Sequence, residues 1–550
     1  MTLLIIIPKY SDSYSYLNNQ TSRRYIPHFI PLGLAYISAV LKQNGYETDI
    51  LNLNLYEASF DTLINKTLSN KEYTFMLSGG LSTHFNTVRD CVNLTRRYSA
   101  ATKIILGGGL VSSQPELINR VLEPDYLVVG EGELAIVELL RCIENRDDLS
   151  KINGIGYTSS NGEFILTEMR KPILDLDAIP WPDLEGIGFD IILDQTYPTQ
   201  ISTYDLMDYP RPYPISMSRS CPYVCTFCFH PLGNKYRQRT IPNIMEELSF
   251  ALTRYKINII EIYDELFSHD KQRVLEFCRE IKKLSQTVSW EVKWTCQMRV
   301  DTTSSDEEVV KVMKESGCFA LSLGLESFSP VVLKSMRKHI TPEQIDRTLK
   351  ICRSLEMGIQ GNFIFGDRAE TLETARETLD YWQSKLDIIG DSISLGFIQP
   401  YPGTDLYKHC LSKGLITDEY DFLLQNKYLE PINMSDTMNE QEFNQLKLDI
   451  KSAYILVDKY VSPFRISTVD DVYGFSIKCP YCRKVSDYRN YLPPTKHLNG
   501  RTISCRNCRM RSLLVTRRSR WAYFFRRIFY RMFGYNCIMI FTKWYRYLFR

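Results

Sequence analysis

The chain lacks several features that would assign it at once to a common structural class. Its 550 residues contain no uncharged apolar stretch of about 20 residues, so a membrane-spanning helix is not expected. The opening MTLLIIIPKY has no basic segment before its apolar run, and Pro8 ends that run, which favours a first β-strand over a secretory signal. With 44% apolar and 24% charged residues, collagen-like and broadly disordered chains are also excluded. A chain of this length is expected to form two to four domains.

The small net charge of +2 conceals an uneven distribution. From Asp471 to the end of the sequence, 18 lysines and arginines stand against 2 acidic residues, so this part carries +16 and the rest −14. Such a split predicts a separate C-terminal module with an anionic partner. The alternative is a basic face that docks on the acidic body of the same chain.

The 15 cysteines fall into two groups. Eight occur singly inside apolar patterns, as at Cys91, Cys142, Cys278 and Cys318, and are expected to be small buried hydrophobic residues. The other seven form clusters in a chain with no sign of secretion, which predicts metal binding rather than disulfides. These clusters are Cys221/Cys225/Cys228, Cys479/Cys482 and Cys505/Cys508.

Strand and helix patterns alternate through residues 1–150. Buried-strand runs at 3–8, 73–80 and 102–109 are separated by helical patterns such as 32–45. Alternation with short connections predicts a parallel, doubly wound sheet that binds ligands at the carboxyl ends of its strands. No G-x-G-x-x-G follows the first strand, so the usual dinucleotide fingerprint is missing.

A second alternating region follows a connector. Residues 151–210 are rich in Pro, Gly and Asp without a sustained period, which predicts a linker. From 211 to 410, about six strand–helix units predict a full or partial (β/α) barrel with its chemistry at the carboxyl ends of the strands. Residues 411–470 are predicted to be a helical extension, 471–515 a small zinc-ribbon-like module, and 516–550 a basic aromatic tail.

The first cysteine cluster, CPYVCTFC, follows the first strand of the predicted barrel. Thiolates suit iron–sulfur clusters and zinc, and a four-iron cluster normally takes four of them. Three thiolates would leave one iron open to a substrate or cofactor. Structural zinc requires four ligands, so a zinc site completed by His230 is the alternative. A catalytic thiol is disfavoured because no neighbouring residue resembles a general base.

This loop resembles the signature of the radical S-adenosylmethionine superfamily, C-x3-C-x-aromatic-C, with Phe227 as the aromatic residue. The resemblance implies that Cys221, Cys225 and Cys228 are catalytic and hold a [4Fe–4S] cluster whose open iron chelates S-adenosylmethionine. One electron would cleave S-adenosylmethionine to methionine and a 5′-deoxyadenosyl radical. Later segments resemble the family's motifs in order, although GDRAET lacks the proline common in relatives. They imply cofactor contacts at Tyr263, Asp264, Glu265, Arg299, Gly324, Glu326, Ser327 and Gly366.

The first domain resembles the cobalamin-binding domain that precedes many radical enzymes of this group. The likeness lies in PLGLAYISAVLKQNGYETDILN, GGGLVSSQP and DYLVVGEGE. It implies that the cofactor is bordered by Ser78, Gly107, Gly108 and Glu131. The Asp-x-His-x-x-Gly signature is absent, and neither His28 nor His84 is expected to bind cobalt. The alternative is a Rossmann-like domain that only shapes the substrate cavity.

The C-terminal cysteines form two C-x2-C pairs, CPYC and CRNC, 22 residues apart. This pattern predicts a structural zinc site, favoured over an auxiliary cluster. Residues 517–550 contain nine basic residues, no acidic residue and thirteen aromatic residues. For this tail we rank contact with an anionic membrane surface or lipid-like substrate first, a packed helix second and nucleic acid third.

These patterns together predict a cytoplasmic enzyme, peripheral at the membrane if the tail binds lipid. The resemblance implies cobalamin-dependent methyl transfer to an unactivated carbon of a small-molecule or lipid-like substrate, with cyclisation or rearrangement as other outcomes among relatives. It also implies an electron donor such as flavodoxin or ferredoxin. Radical modification of tRNA and a non-catalytic iron–sulfur or zinc binding protein are the alternatives. The three-cysteine loop argues against the latter, because such proteins use four-cysteine clusters.

Overall fold

The computed structural model describes most of the chain and divides it into three units. Outside the described residues lie His28 and nearly all of the basic aromatic tail, so the structure does not test the predictions made for them. The described residues are 1–9, 30–201, 203–427, 430–456, 459–493, 498, 500–516, 519–521, 524, 525 and 528.

The N-terminal unit is a seven-stranded sheet in the order β2-β1-β3-β4-β5-β6-β7, in which the first five strands run parallel. The strands are β1 (Thr2–Ile7), β2 (Glu47–Asn52), β3 (Phe75–Gly79), β4 (Lys103–Gly107), β5 (Tyr126–Val128), β6 (Ile155–Thr158) and β7 (Phe164–Leu166). The helices are α1 (Leu32–Gln43), α2 (Phe60–Asn70), α3 (Phe85–Tyr98), α4 (Gly108–Ser113), α5 (Pro115–Leu122) and α6 (Gly132–Asn145).

The apolar first strand explains why this sheet is covered on both faces. Alternate side chains of a strand point to opposite faces, and Leu3 and Ile5 join one core while Leu4 and Ile6 join the other. Residues of α1 and α6 complete the first core, and residues of α2 and α3 complete the second. The predicted doubly wound fold is therefore confirmed.

The sheet extends beyond the predicted domain boundary at residue 150. Strand β6 pairs antiparallel with β5, and β7 pairs antiparallel with β6. Part of the predicted linker 151–210 therefore belongs to the first domain. These strands are only four and three residues long, and they are defined by successive pairing onto the edge of the sheet, β6 on β5 and β7 on β6, rather than by a long apolar run. The rest of this segment contains helix α7 (Phe189–Asp194).

The second unit is a six-stranded parallel sheet in sequential order, which matches the predicted barrel in its partial form. Among the described residues no ladder joins its first and last strands. The strands are β8 (Pro212–Ile215), β11 (Ile259–Ile262), β12 (Lys293–Met298), β13 (Cys318–Glu326), β14 (Gly358–Phe365) and β15 (Ile393–Phe397), with a short antiparallel ribbon of β9 (Ser218–Arg219) and β10 (Arg237–Gln238).

Helices connect these strands, and several begin at side-chain caps. Thr240, Asp270, Thr341 and Thr371 each accept a hydrogen bond from a backbone N–H of the first turn. The helices are α8 (Ile241–Tyr255), α9 (Lys271–Ser285), α10 (Val300–Ser305), α11 (Glu307–Glu315), α12 (Pro330–Ser335), α13 (Pro342–Ser354), α14 (Leu372–Ser384), α15 (Leu386–Ile389), α16 (Asp405–Ser412), α17 (Glu419–Leu424) and α18 (Glu440–Leu456).

The third unit is a small β module that begins earlier than predicted. Its first strands lie before residue 471, inside the predicted helical extension, because they pair with later strands of the module. Its two sheets have the orders β17-β18-β19 and β16-β21-β20. The strands are β16 (Tyr460–Val461), β17 (Phe464–Val469), β18 (Val472–Lys478), β19 (Val485–Tyr491), β20 (Arg501–Ser504) and β21 (Arg511–Leu514).

Candidate active site

The three-cysteine loop lies at the carboxyl end of β8 and β9, where it borders a cavity of about 940 Å³. Cys221, Cys225 and Cys228 all contribute to the cavity wall. This is the edge of a parallel β/α sheet at which ligands bind. The sequence prediction that these three thiols lie together at the catalytic edge thus agrees with their positions.

A buried carboxylate supports the chain that enters this loop. Oδ1 of Asp264 accepts hydrogen bonds from the backbone N–H groups of Met217 at 2.7 Å and Ser218 at 3.0 Å. Burial raises the pKa of Asp264 to about 6. Further along, the Thr226 N–H donates to the carbonyl of Met336 at 3.2 Å. Asp264, predicted to contact the cofactor, therefore lies beneath the loop and supports its backbone.

The surroundings of the loop favour one thiolate, at Cys225. A hydrogen bond from Cys228 and the positive charges of Lys338 and Arg299 lower the pKa of Cys225 to about 7. The hydrogen bond to Cys225 and burial raise the pKa of Cys228, and burial raises the pKa of Cys221. Metal ligands must be deprotonated, so the nearby cations fit a loop that binds a soft metal cluster.

Phe227 of the loop and several residues predicted from the later strands line the same cavity: Tyr263, Glu265, Arg299, Gly324 and Glu326. The Arg299 guanidinium lies 3.6 Å from the centroid of the Tyr223 ring and donates to the carbonyl of Lys338 at 2.8 Å. Arg299 is thus fixed beside the cysteine loop by contacts on two sides.

Gly324 is required by an ion pair that the sequence did not predict. Nζ of Lys338 lies 2.6 Å from Oε1 of Glu326, and both side chains are nearly buried. A Cβ at Gly324 would lie 2.4 Å from each of these two atoms. Glu326 itself has a φ of +61°, a conformation that non-glycine residues adopt rarely and that clusters at functional sites.

Two other predicted contacts lie behind the cavity wall. Ser327 is buried, and its hydroxyl is 3.1 Å from that of Thr378. Gly366 packs near Phe397 and directs its N–H at the carboxylate of Glu370. Both residues therefore support the wall from outside the cavity.

A second cavity of about 510 Å³ lies between the carboxyl edge of the N-terminal sheet and the cysteine loop. Its wall is mainly aliphatic and glycine-rich, and it includes all four residues predicted for this domain: Ser78, Gly107, Gly108 and Glu131. Gly108 has a φ of +81°, and a Cβ there would lie 2.9 Å from the carbonyl oxygen of Gly80. This wall can therefore present its backbone directly to a bulky, largely apolar ligand.

His84 also borders the second cavity, but its ring serves the local turn. Nδ1 of His84 accepts from the Leu81 N–H at 3.0 Å, and burial lowers the pKa of His84 to about 4. The ring therefore remains neutral at physiological pH. Whether His84 binds cobalt stays a prediction from the sequence, which favours no ligation.

The two cavities adjoin, because Tyr263 and Glu265 contribute to the walls of both. These residues follow β11, between the cysteine loop and the N-terminal domain. Groups bound in the two cavities would therefore meet at this shared wall.

An ion-pair network fixes the two domains around this junction. Glu131 accepts from Arg219 at 2.9 Å and from Arg237 at 2.7 Å, while Glu133 pairs with Arg219 at 2.5 Å. Arg237 also donates to Ser220, the residue before Cys221, at 3.1 Å. The predicted cofactor residue Glu131 thus connects the first domain to the cysteine loop.

The C-terminal cysteines form a second candidate metal centre. The sulfur atoms of Cys479, Cys482, Cys505 and Cys508 all lie within 4.8 Å of one another, with two pairs at 3.7 Å. A tetrahedron with metal–sulfur bonds of about 2.3 Å has edges of about 3.8 Å. The four thiols therefore match tetrahedral zinc in number, chemistry and spacing.

Sequence reasoning missed the polar lining of the barrel interior. Gln297, Ser322, Gln360, Asn362 and Ser394 point into the larger cavity from β12 to β15. Their signal was the period-2 alternation of these strands, as in LSLGLE and IQGNF, where every second residue is small or polar. Thr502 and Arg511 of the C-terminal module also line the cavity and carried no such signal.

Comparison with known proteins agrees with this geometry. Residues 215–381 match the radical SAM superfamily, and residues 27–140 match the B12 binding domain. An uncharacterized methyltransferase of Pyrococcus horikoshii is 27% identical over 454 residues, 82% of this chain and 92% of that protein. The anaerobic magnesium-protoporphyrin IX monomethyl ester cyclase of Rubrivivax gelatinosus is 25% identical over 421 residues, 75% of this chain and 71% of the cyclase.

The fold is also shared with a solved enzyme. The radical S-adenosylmethionine methyltransferase TsrM from Kitasatospora setae, solved with cobalamin and a [4Fe–4S] cluster, superposes with a TM-score of 0.57 at 18% identity. The similarity covers 74% of this chain and 76% of that chain. Among the described residues, the search for a helix long and apolar enough to cross a bilayer found none.

Proposed function

We propose that this radical S-adenosylmethionine protein, which carries a B12 binding domain before its barrel, is a methyltransferase that acts on an unactivated carbon of a small molecule. The observation that carries the proposal is the shared wall of the two cavities, formed by Tyr263 and Glu265. Two reagents must reach one substrate carbon for radical methylation, and adjoining cavities satisfy that requirement.

The residues present fit the expected groups. Cys221, Cys225 and Cys228 would hold a [4Fe–4S] cluster, and Tyr263 and Arg299 beside them would contact S-adenosylmethionine. The glycine-rich second cavity would take cobalamin. When bound, these groups would supply an electron for S-adenosylmethionine cleavage and a methyl group carried on cobalt.

The chain's own contribution is to hold and orient these groups. Lys338 and Arg299 place positive charge beside the thiolates, and Asp264 fixes the backbone of the loop. The network of Glu131, Arg219 and Arg237 sets the distance between the two cavities. We further propose that zinc occupies the four-cysteine site of the C-terminal module and stabilises it.

An external reductant is also part of the proposal. We expect a low-potential donor such as flavodoxin or ferredoxin, which places the reaction in the reducing cytoplasm. The relatives named methyltransferases support methyl transfer, and the relative named a cyclase makes radical cyclisation the second candidate. Contact of the basic tail with a membrane surface remains a proposal from its sequence alone.

The test is an anaerobic reconstitution with iron, sulfide and hydroxocobalamin, followed by reductant and S-adenosylmethionine. We expect about four irons bound at the loop, a corrin absorbance band, and formation of 5′-deoxyadenosine and S-adenosylhomocysteine. Cys228→Ala should lose the iron and 5′-deoxyadenosine, whereas Cys142→Ala, at an isolated buried cysteine, should keep both.

Each product discriminates between hypotheses. 5′-Deoxyadenosine without S-adenosylhomocysteine would favour the cyclisation alternative over methyl transfer. Absence of the corrin band would remove cobalamin from the proposal. Zinc at both cysteine regions and no iron would contradict the enzyme hypothesis altogether.

A further inference from the structure

The C-terminal four-cysteine module forms the far end of the barrel cavity. Thr502 and Arg511 lie in the cavity wall together with Asp391 and Ser392, which immediately precede β15. Parallel strands begin at this end and finish at the cysteine loop. The cavity therefore extends from the cysteine loop at one end of the strands to the module at the other.

Close backbone contacts fix the module at this position. The Asp391 N–H donates to the carbonyl of Arg511 at 3.2 Å, and the Thr502 hydroxyl donates to the Asp391 carboxylate. A Cβ at Gly390 would lie 2.5 Å from the carbonyl oxygen of Arg511, and Gly390 has a φ of +58°. The approach of strand β21 to the barrel therefore requires glycine at residue 390.

Arg511 borders this cavity and has no close carboxylate partner among the described residues. Its Nε is buried and has no hydrogen-bond partner among the described residues. Nor does any carboxylate in the described part of the chain form an ion pair with it within 4.0 Å. The nearby buried carboxyl of Asp205 has its pKa raised to about 7 by burial, and the charge of Arg511 opposes that rise.

Such a guanidinium is a binding group for an oxyanion. A buried polar group without a partner is costly, and arginine pairs with carboxylate or phosphate through parallel hydrogen bonds. The wall between Arg511 and the cysteine loop presents amide and hydroxyl groups, including Gln297, Ser322 and Asn362. A ligand that reaches from Arg511 to the loop would therefore meet hydrogen-bonding groups along its path, beside apolar side chains such as Met298 and Leu323.

We propose that Arg511 selects a polar substrate with a carboxylate or phosphate group, so that the four-cysteine module forms part of the substrate site. The anion would pair with Arg511, and the reacting carbon would lie toward the cysteine loop. This inference rests on the proposed function for its reaction, but it names the substrate class and a specificity residue. It replaces the earlier expectation of a lipid-like substrate with a polar one.

The test uses two matched pairs of probes with the reconstituted, zinc-loaded full chain. The phosphate arm compares cytidine 5′-monophosphate with cytidine, and the carboxylate arm compares tryptophan with tryptophanamide. Dissociation constants are measured by calorimetry for the wild type, Arg511→Gln and Arg489→Gln. Arg489 is a matched control because its side chain is exposed on β19 of the same module, outside the cavity wall.

We expect the wild type to bind at least one charged probe about tenfold or more tightly than its neutral partner, since hydrogen bonds to charged groups contribute about 1.5–3 kcal/mol. The arm that shows the preference identifies the anion as phosphate or carboxylate. Arg511→Gln should abolish the preference, and Arg489→Gln should keep it. Gly390→Ala should reduce the charge preference as well, because the added Cβ displaces the module although the Arg511 side chain is unchanged.

Two outcomes would overturn the inference: no charged probe binds more tightly than its neutral partner, or the preference survives in Arg511→Gln. The proposed function is judged separately, by 5′-deoxyadenosine formed from S-adenosylmethionine without added substrate. The control Arg489→Gln, outside the cavity wall, should form it at the wild-type rate. A charge preference without 5′-deoxyadenosine would preserve the binding site and contradict the reaction.

Discussion

Replacement of Glu131 by Gln should disturb the relative position of the two domains while it leaves the fold of each domain intact. Glu131 accepts hydrogen bonds from Arg219, Arg237 and the backbone of Ile173, and its side chain is 4% exposed. Arg237 is 3% exposed, so the variant leaves a buried guanidinium without its counter-ion. Glu133 is within 2.5 Å of Arg219, so that arginine retains one partner.

The expected cost follows from these contacts. Removal of one partner from a buried ion pair costs about 3–5 kcal/mol, and we expect about 3 kcal/mol because Gln keeps one acceptor oxygen. At about 2–4 °C per kcal/mol for domains of this size, Tm should fall by about 6 °C or more. The control is Glu138→Gln on helix α6, which Glu131 directly precedes; the Glu138 pair with Arg170 is partly exposed, and its loss should cost less than about 1 kcal/mol.

The same variant should lower the two reaction products unequally. Because Arg237 can keep its hydrogen bond to Ser220 beside the cysteine loop while its contact with the first domain is weakened, Glu131→Gln should lower S-adenosylhomocysteine formation more than 5′-deoxyadenosine formation. The double variant Glu131→Gln/Arg237→Met, which leaves no unpaired guanidinium at residue 237, should be more stable than Glu131→Gln alone. A Tm loss equal to that of Glu138→Gln, or equal losses of both products, would refute this account of the network.

The pH dependence of the pair has a defined sign. Burial opposes the change, but hydrogen bonds from Arg237, Ile173 and Arg219 lower the pKa of Glu131 in the folded chain. The stabilisation is therefore present above the ordinary glutamate pKa and is lost as pH falls through the lowered folded value. The Tm difference between wild type and Glu131→Gln should narrow in acid.

Three further predictions concern other buried groups. Cys508→Ser should remove zinc measured by metal analysis while iron at Cys221, Cys225 and Cys228 is retained; joint loss of both metals would contradict separate sites. Asp264→Ala should lower bound iron because the N–H groups of Met217 and Ser218 lose their acceptor, whereas Asp264→Asn keeps an acceptor oxygen and should keep the iron. Burial raises the pKa of Glu370 to about 8. Wild-type stability should therefore decline as pH rises toward that value, by up to about 1.4 kcal/mol per pH unit. Glu370→Gln should lack this part of the decline when Tm is measured across the same pH range.

The parts of the site that the sequence predicted are those whose signals are local. The three-cysteine loop has a fixed spacing, and the strands beside it have apolar runs between helical patterns. Glu131 shows the limit of such signals. Glu131 was predicted to contact the cofactor and lies in the wall of the second cavity, but its partners Arg219 and Arg237 lie 88 and 106 residues away, so no local pattern could predict the ion pairs. Arg511 lies even farther from the loop along the chain, and its place in the cavity depends on docking of a whole module.

The position of this network also bears on why the enzyme would need it. Arg219 and Ser220 directly precede Cys221, and Glu131 and Glu133 lie at the carboxyl edge of the N-terminal sheet. The four ionic side chains that hold the domains together therefore set the separation of the two cavities at Tyr263 and Glu265. They are Glu131, Glu133, Arg219 and Arg237. A displacement of about 1 Å between reacting groups can cost about a hundredfold in rate. Buried ion pairs add little net stability compared with apolar packing, but their directional contacts fix a relative orientation, and this orientation is the property that a reaction shared between two cofactor sites demands.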